Sequence, residues 1–276
     1  FDRLQVRDAV TWTSLITGYV EHGSGDKAME CFELMHLEGI SPDAFTLVSI
    51  LKACCIIGAL DKGQDIHITI ERMGLLDRDI IAGNAVLGMY VNCGLLTVAQ
   101  EVFDKHLVHH DVVSWNVLIT GYAKYGQGEK ALLCISQMQL EGMFPNVVTY
   151  LGILKACGSI NLPEKCQEIH AILNHKGILG MNVLIWNTLV DTYSKCGMFS
   201  KVEELFTKLP IRNVVSWTAL IAGYLKHGCG VEALKYFERM QFEHACPNLV
   251  TFICSLKACS NLGAAGKGQE IHVEMK

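Results

Sequence analysis

The sequence predicts an all-α fold, an α-solenoid superhelix of stacked two-helix (helix-turn-helix) repeats, and three observations carry that prediction. Short motifs recur at a spacing of 103 and then 102 residues: Gly-Tyr at 18–19, 121–122 and 223–224, Lys-Ala-Cys at 52–54, 155–157 and 257–259, Ile-His at 66–67, 169–170 and 271–272. Each long period divides into three units opened by Asp or Asn ahead of an apolar run, at Asp8, Asp43, Asp79, Asp111, Asn146, Asn182, Asn213 and Asn248. Each unit carries two apolar stripes of helical period. Two helices of this size cannot bury both faces alone, so neighbouring units must stack and leave a groove lined by one helix per repeat.

In the 35-residue units, Trp12, Leu15, Ile16 and Tyr19 follow the i, i+3, i+4, i+7 rule, and the same spacing recurs at 115, 118, 119, 122 and at 217, 220, 221, 224. This is helix A. Its stop is Gly23-Ser24-Gly25, repeated as Gly126-Gln127-Gly128 and Gly228-Cys229-Gly230. Helix B follows, with Ala28, Cys31, Phe32 and Met35 as its stripe, again as Ala131, Cys134, Ile135, Met138 and Ala233, Tyr236, Phe237, Met240. Pro42, Pro145 and Pro247 end it, and the Asp or Asn after each is placed to cap the next helix A.

The units run 8–42, 43–78, 79–110, 111–145, 146–181, 182–212, 213–247 and 248–276, one continuous array. Residues 1–7 match the ends of the short units that precede Asp111 and Asn213. The chain is therefore expected to be an excerpt from a longer array, with its last unit cut short.

Composition narrows the function. Half of the 276 residues are hydrophobic and 18% charged, which excludes a disordered chain. A net charge of −5 and a pI near 6.1 argue against binding nucleic acid chiefly through phosphates. The uncharged run Ile80–Gln100 has nearly the length of a membrane span, but Asn92-Cys93-Gly94 inside it marks a helix end, so two short buried helices are expected. The twelve Cys include no CxxC, and most recur with the repeat, which favours packing over a metal or redox site; no metal and no cofactor are expected. No strand precedes a Gly-rich turn, so nucleotide-binding loops are excluded.

The run Asn213-Val214-Val215-Ser216-Trp217-Thr218-Ala219-Leu220-Ile221, with Gly223-Tyr224, Glu232-Ala233-Leu234, Met240 and Pro247-Asn248, strongly resembles the pentatricopeptide repeat (PPR). The alternation of 35-, 36- and 31/32-residue units resembles the P, L and S classes of plant organelle RNA-editing factors, over essentially the whole chain. On this scheme units 8–42, 111–145 and 213–247 are P, 43–78, 146–181 and 248–276 are L, and 79–110 and 182–212 are S.

The resemblance implies binding of single-stranded RNA, one repeat per nucleotide. Base choice falls to the fifth residue of a repeat, counted from the position after the opener, and to the opener of the next. Thr13 with Asp43 resembles the guanine pair and Asn84 with Asp111 the uracil pair. Asn116 with Asn146, and Asn187 with Asn213, resemble the cytosine-leaning pyrimidine pair, and Thr218 with Asn248 the adenine pair. The L units offer Val48 with Asp79, Leu151 with Asn182, and Ile253, which depart from the polar pattern. The implied site is 5′-G-n-U-C/U-n-C/U-A-3′. The second residues, Val10, Phe45, Ile81, Val113, Val148, Leu184, Val215 and Val250, are all apolar, and in the family they sandwich the bases. Lys124, Lys195 and Lys226 occupy the thirteenth position, where family members approach phosphate.

The chain is expected to have no catalytic site, small-molecule substrate or membrane partner. His36-Leu37-Glu38 and His272-Val273-Glu274 match half of a zinc deaminase signature, but its P-C-x-x-C half is absent, and chance repetition is the favoured reading. By resemblance, the parent protein works in a mitochondrion or chloroplast and carries or recruits a cytidine deaminase, with editing-accessory proteins as further partners. The alternatives are a protein-binding helical scaffold and an RNA-stability or splicing factor built from the same repeats.

Overall fold

The computed structural model describes residues 7–106, 110–180 and 182–275; the match expected for residues 1–7 lies outside them except for Arg7. Among the described residues every regular element is a helix. The A helices are α1 (Ala9–Glu21), α3 (Ala44–Ile57), α5 (Ile80–Asn92), α7 (Val112–Lys124), α9 (Val147–Ser159), α11 (Val183–Lys195), α13 (Val214–Lys226) and α15 (Leu249–Leu262). Their B partners are α2 (Gly25–Leu37), α4 (Leu60–Arg72), α6 (Leu96–His106), α8 (Gly128–Leu140), α10 (Pro163–His175), α12 (Phe199–Lys208), α14 (Gly230–Phe242) and α16 (Ala265–Glu274).

Two units each form an α-solenoid stack. In the first, Phe1–Tyr125 with Leu133–Asn146, α1, α3, α5 and α7 pack in sequence, and α2, α4 and α6 each wedge between the A helix of their own repeat and the next. In the second, Gly126–Leu132 with Val147–Lys276, α9, α11, α13 and α15 stack, and α10, α12 and α14 wedge in the same way. The predicted stripes are the core: Trp12, Trp115, Trp217, Ala28, Phe32, Met35, Phe237 and Met240 are buried. Tyr236 is half-buried, and its hydroxyl shares Glu203 with that of Tyr224.

The uncharged run Ile80–Gln100 is indeed two helices, α5 and the start of α6, broken at Gly94 with φ +77°. No described helix is long and apolar enough to cross a membrane.

The Gly-x-Gly stops contain two different glycines. Gly23, Gly126 and Gly228 adopt the left-handed conformation that ends a helix, with φ +72°, +73° and +77°. Gly25, Gly128 and Gly230 instead let helix B touch the next helix A. A Cβ on Gly128 would stand 2.8 Å from the Ala156 carbonyl oxygen, and one on Gly25 2.6 Å from Ile57 Cγ2. The first role follows from the sequence pattern; the second needs the neighbouring repeat.

Three further braces, at Glu38, Glu141 and Glu243, each tie the end of a helix B to the start of its repeat. Glu38 accepts from Arg7 at 2.7 Å and from Trp12 Nε1 at 3.1 Å. Glu141 accepts from Trp115 Nε1 at 3.2 Å with His110 Nδ1 3.4 Å away, and Glu243 takes Arg212 at 2.9 Å. Glu38, part of the His36-Leu37-Glu38 match, is thus a structural brace. The recurrent Ile-His also has a structural explanation: His67 and His170 bond the Tyr90 and Tyr193 hydroxyls at 2.9 and 3.1 Å. Burial pushes the thiols of Cys54 and Cys157 up to about 11 and that of Cys166 to about 12, which keeps them protonated and inert. Among the described residues no cluster of three His, Cys, Asp or Glu is placed to hold a metal ion.

Gly128→Ala forces a methyl against a backbone carbonyl that cannot rotate away, and is expected to destabilise the chain by ~1–3 kcal/mol. At Gly18, a helical site where a Cβ would meet nothing within 4 Å, alanine should stabilise by ~0.5–1 kcal/mol. Equal melting temperatures for the two variants would refute the close-packing role.

Candidate nucleic-acid interface

Seven of the repeat openers are first of all helix caps. Asp8, Asp43, Asp111 and Asn248 accept the backbone N–H of the third residue of their repeat (Thr11, Thr46, Ser114, Thr251) at 2.7 to 2.9 Å. Asn213 takes Val215 and Ser216 at 3.0 Å, and Asp79 and Asn182 take the N–H groups two and three residues on. In the first turn of an A helix these acceptors satisfy donors with no partner inside the helix.

The same oxygens meet the fifth residue of the preceding repeat. Asn84 Nδ2 donates to Asp111 Oδ1 at 3.2 Å, Asn116 Nδ2 to Asn146 Oδ1 at 3.2 Å, and Asn187 Nδ2 to Asn213 Oδ1 at 3.3 Å. Three of the five polar pairs named from the sequence are therefore in direct contact, across 26 to 30 residues of chain. The amide orientation at Asn187 is forced: Asn213 Oδ1 is already accepting two backbone N–H groups, so Asn187 must present nitrogen to it. That leaves Asn187 Oδ1, and likewise Asn84 Oδ1, buried without a hydrogen-bond partner. An orphaned buried acceptor costs ~1–3 kcal/mol.

The two threonine pairs are joined differently. Thr13 Oγ1 lies 2.7 Å from Thr46 Oγ1, which in turn bonds Asp43 Oδ1 at 2.8 Å. Thr218 reaches Thr251 at 2.8 Å, and Thr251 bonds Asn248 Oδ1 at 2.8 Å. Thr46 and Thr251, fully buried, were not singled out by sequence reasoning. Their signal was a hydroxyl at the third position of a repeat, which reads equally well as half of a capping box. Among the apolar fifth residues, Val48 is buried, Leu151 half-buried and Ile253 exposed. Their openers Asp79 and Asn182 serve as caps.

Beside the polar pairs stand the second residues. All eight, Val10, Phe45, Ile81, Val113, Val148, Leu184, Val215 and Val250, are between 48 and 71% exposed, at the same register on every A helix. Aliphatic and aromatic residues repeated in solvent at one register mark a surface built to be covered. Val10 and Phe45 flank Thr13 and Asp43 in a cavity of about 460 Å³. Leu184, Val215 and Val250 line another of about 450 Å³ with Asn187, Thr218 and Asn248.

The thirteenth-position lysines end their helices, where the C-terminal carbonyls favour cations. Lys195 Nζ is 2.6 Å from Asp191, Lys226 Nζ donates to the Lys195 carbonyl at 3.2 Å, and Lys124 sits 5.1 Å from the centre of the Tyr125 ring. Each therefore has an intrachain partner.

The chain matches the PPR repeat family over residues 7–56, 110–159 and 212–261, and the PPR repeat over 184–214. It belongs to that family. A mitochondrial pentatricopeptide repeat-containing protein of Arabidopsis thaliana is 35% identical over all of this chain and 32% of its own length. A chloroplastic one from the same plant is 34% identical over all of this chain and 34% of its own. The chain thus spans about a third of the length of these relatives. Among solved structures, the pentatricopeptide repeat protein PPR10 in complex with an 18-nt psaJ RNA element superposes over 98% of this chain and 40% of its own, with TM-score 0.78 and 20% identity. That likeness establishes the fold.

Burial alone would raise the Asp111 carboxyl, but hydrogen bonds from the Ser114 N–H and hydroxyl and from the Asn84 amide outweigh it and hold the group below its ordinary range. A depressed native pKa contributes stability above the unfolded value and loses it as pH falls through the native one. Asn84→Leu removes one donor, so carboxyl ¹³C titration should show Asp111 shifted upward and acid unfolding should begin at higher pH. An unchanged titration would show that the amide does not hold the carboxylate.

Proposed function

We propose that this chain binds single-stranded RNA by sequence, one repeat per base, with the core site 5′-G-n-U-C/U-n-C/U-A-3′. The observation that carries the reading is the direct bond between fifth-residue Asn and next opener at 84/111, 116/146 and 187/213. Each pair holds donors and acceptors at a fixed register beside an exposed apolar second residue, the arrangement an unstacked base needs: a polar edge to read and an apolar surface to lie against. The base-reading residues are Thr13, Asp43, Asn84, Asp111, Asn116, Asn146, Asn187, Asn213, Thr218 and Asn248. Val10, Ile81, Val113, Leu184 and Val215 flank the bases, and Lys124, Lys195 and Lys226 turn to phosphate by exchanging their present partners. The RNA in the PPR10 complex is a property of that protein; it supports the same class of ligand here. The parent protein acts in a mitochondrion or chloroplast, as the names of both relatives suggest, and the alternating repeat lengths favour targeting of C-to-U editing by a deaminase in cis or trans.

A gel-shift titration of the 276-residue chain against RNA carrying GAUCACA, and against a copy with the five coded bases changed, tests this. Preference for the first by about tenfold, ~1.4 kcal/mol, is expected at physiological salt. Asn84→Thr, which turns an Asn/Asp pair into a Thr/Asp pair, should move the preference at the third base from U to G. Equal binding to both RNAs would sink the pair assignments, and no binding to either would put a protein-binding scaffold first.

A further inference from the structure

We propose that the buried third-residue hydroxyls of Thr46 and Thr251 are specificity-determining positioning residues: each locks the reading threonine of the preceding repeat as an acceptor only. The proposal rests on the RNA reading above and adds a third member to two of its pairs.

A hydroxyl has one proton. Asp43 Oδ1 already accepts the Thr46 backbone N–H at 2.8 Å, so the Thr46 hydroxyl, also 2.8 Å from that oxygen, donates to it. Thr46 Oγ1 then has only lone pairs for Thr13 at 2.7 Å, and Thr13 must spend its own proton there. What Thr13 can offer a ligand is lone pairs alone. The second instance is independent. Asn248 Oδ1 accepts the Thr251 N–H and hydroxyl, both at 2.8 Å, and Thr218 lies 2.8 Å from Thr251 and 2.7 Å from the Val214 carbonyl. Whichever of the two takes the Thr218 proton, none is left for a ligand.

The openers complete the pattern. Thr13 with the Asp43 carboxylate presents acceptor beside acceptor, which suits the adjacent N1–H and N2–H donors of guanine. Thr218 with the Asn248 amide nitrogen presents acceptor beside donor, which suits N6–H and N1 of adenine. A freely rotating threonine hydroxyl would blur both distinctions, because it could donate as readily as accept.

Asparagine needs no such relay, being one bond longer: Asn84 reaches Asp111 directly. A third-residue hydroxyl also stands after the asparagines (Ser114, Thr149, Ser216), where at Ser114 and Ser216 it bonds its own opener, and Ala82 and Ile185 stand after the apolar Val48 and Leu151; the relay is therefore assigned to Thr46 and Thr251.

The test is the affinity of the 276-residue chain for RNAs with each base at the first coded position. Wild type should favour G over A by about tenfold, Thr46→Val should reduce this to under about threefold, and Thr46→Ser should restore it. Thr251→Val should act in the same direction but more weakly, at the last coded base and nowhere else, because the Val214 carbonyl at 2.7 Å can still take the Thr218 proton. Ser114→Ala removes a capping hydroxyl without a relay, and should leave the base opposite Asn84 as selective as before. Full discrimination by Thr46→Val, or equal loss in Ser114→Ala, overturns the proposal. An RNA-free readout separates it from the function: the melting shifts of Thr13→Val and Thr46→Val should be non-additive in the unliganded chain. Additive shifts overturn the relay itself. Non-additive shifts in a chain with no base preference overturn the RNA reading, and the specificity role with it, but not the hydrogen bonds.

Discussion

The structure depends on one side-chain oxygen per repeat junction. The opener Oδ1 must accept the backbone N–H groups at the start of helix A, because those donors have no partner within the helix and the cap contributes ~1 kcal/mol. That requirement fixes the rotamer of the opener. It also settles which atom of an Asn opener faces outward, since oxygen is committed to the cap and nitrogen is left over. At Asp111 and Asn213 the same oxygen receives the amide of Asn84 or Asn187 from the repeat before. A local rule of helix termination thereby orients a side chain nearly thirty residues away in sequence, and the chemistry presented to a ligand follows from the demands of folding.

Stacking holds these atoms in register. Within each unit the A helices lie against one another in sequence, and helices α2, α8 and α14 begin with a glycine that lets them close on the following repeat, as Gly128 does on Ala156. Glu38 and Glu243 tie the start of their repeats to the end of helix B through Arg7 and Arg212, which steadies the opener that begins the next repeat. These pairs are partly exposed, and such ion pairs contribute little stability singly; their value is geometric. Contacts of this kind reach only the neighbouring repeat, so a change at one junction should stay local, as expected of a quasi-one-dimensional fold.

Much of this was legible in the sequence because it depends on period. The helix stripes, the break at Cys93-Gly94 and the capping role of the openers all follow from residues a few positions apart. The pairing of Asn84 with Asp111 was not legible from periodicity; it came from resemblance to a family, and the structure brings the two side chains together. What neither route supplied were features needing atoms from two repeats at once. The second glycine of each stop, the partners of Lys195 and Lys226, and the Glu38 brace belong to that class. So does the direction of the Thr46 proton, which depends on a backbone N–H having already claimed Asp43 Oδ1. The net charge describes the whole surface and does not resolve the A-helix register, where the polar pairs stand.

Two features of that register bear on what covers it. Eight exposed apolar residues would suit a protein partner as well as stacked bases, since dispersion and water exclusion do not distinguish the two. The polar pairs add a second demand on the partner. Asn84 Oδ1 and Asn187 Oδ1 are buried acceptors with no partner in the unliganded chain, each a standing cost to stability. A scaffold would lose nothing by replacing these asparagines with the leucine or valine that Leu151 and Val48 show the position to accept, and would gain packing. Retaining an unsatisfied amide at the fifth position makes physical sense where a ligand with its own donors arrives at that spot, one per repeat. The three thirteenth-position lysines hold intrachain partners in this structure, so any phosphate contact they make must first exchange those partners.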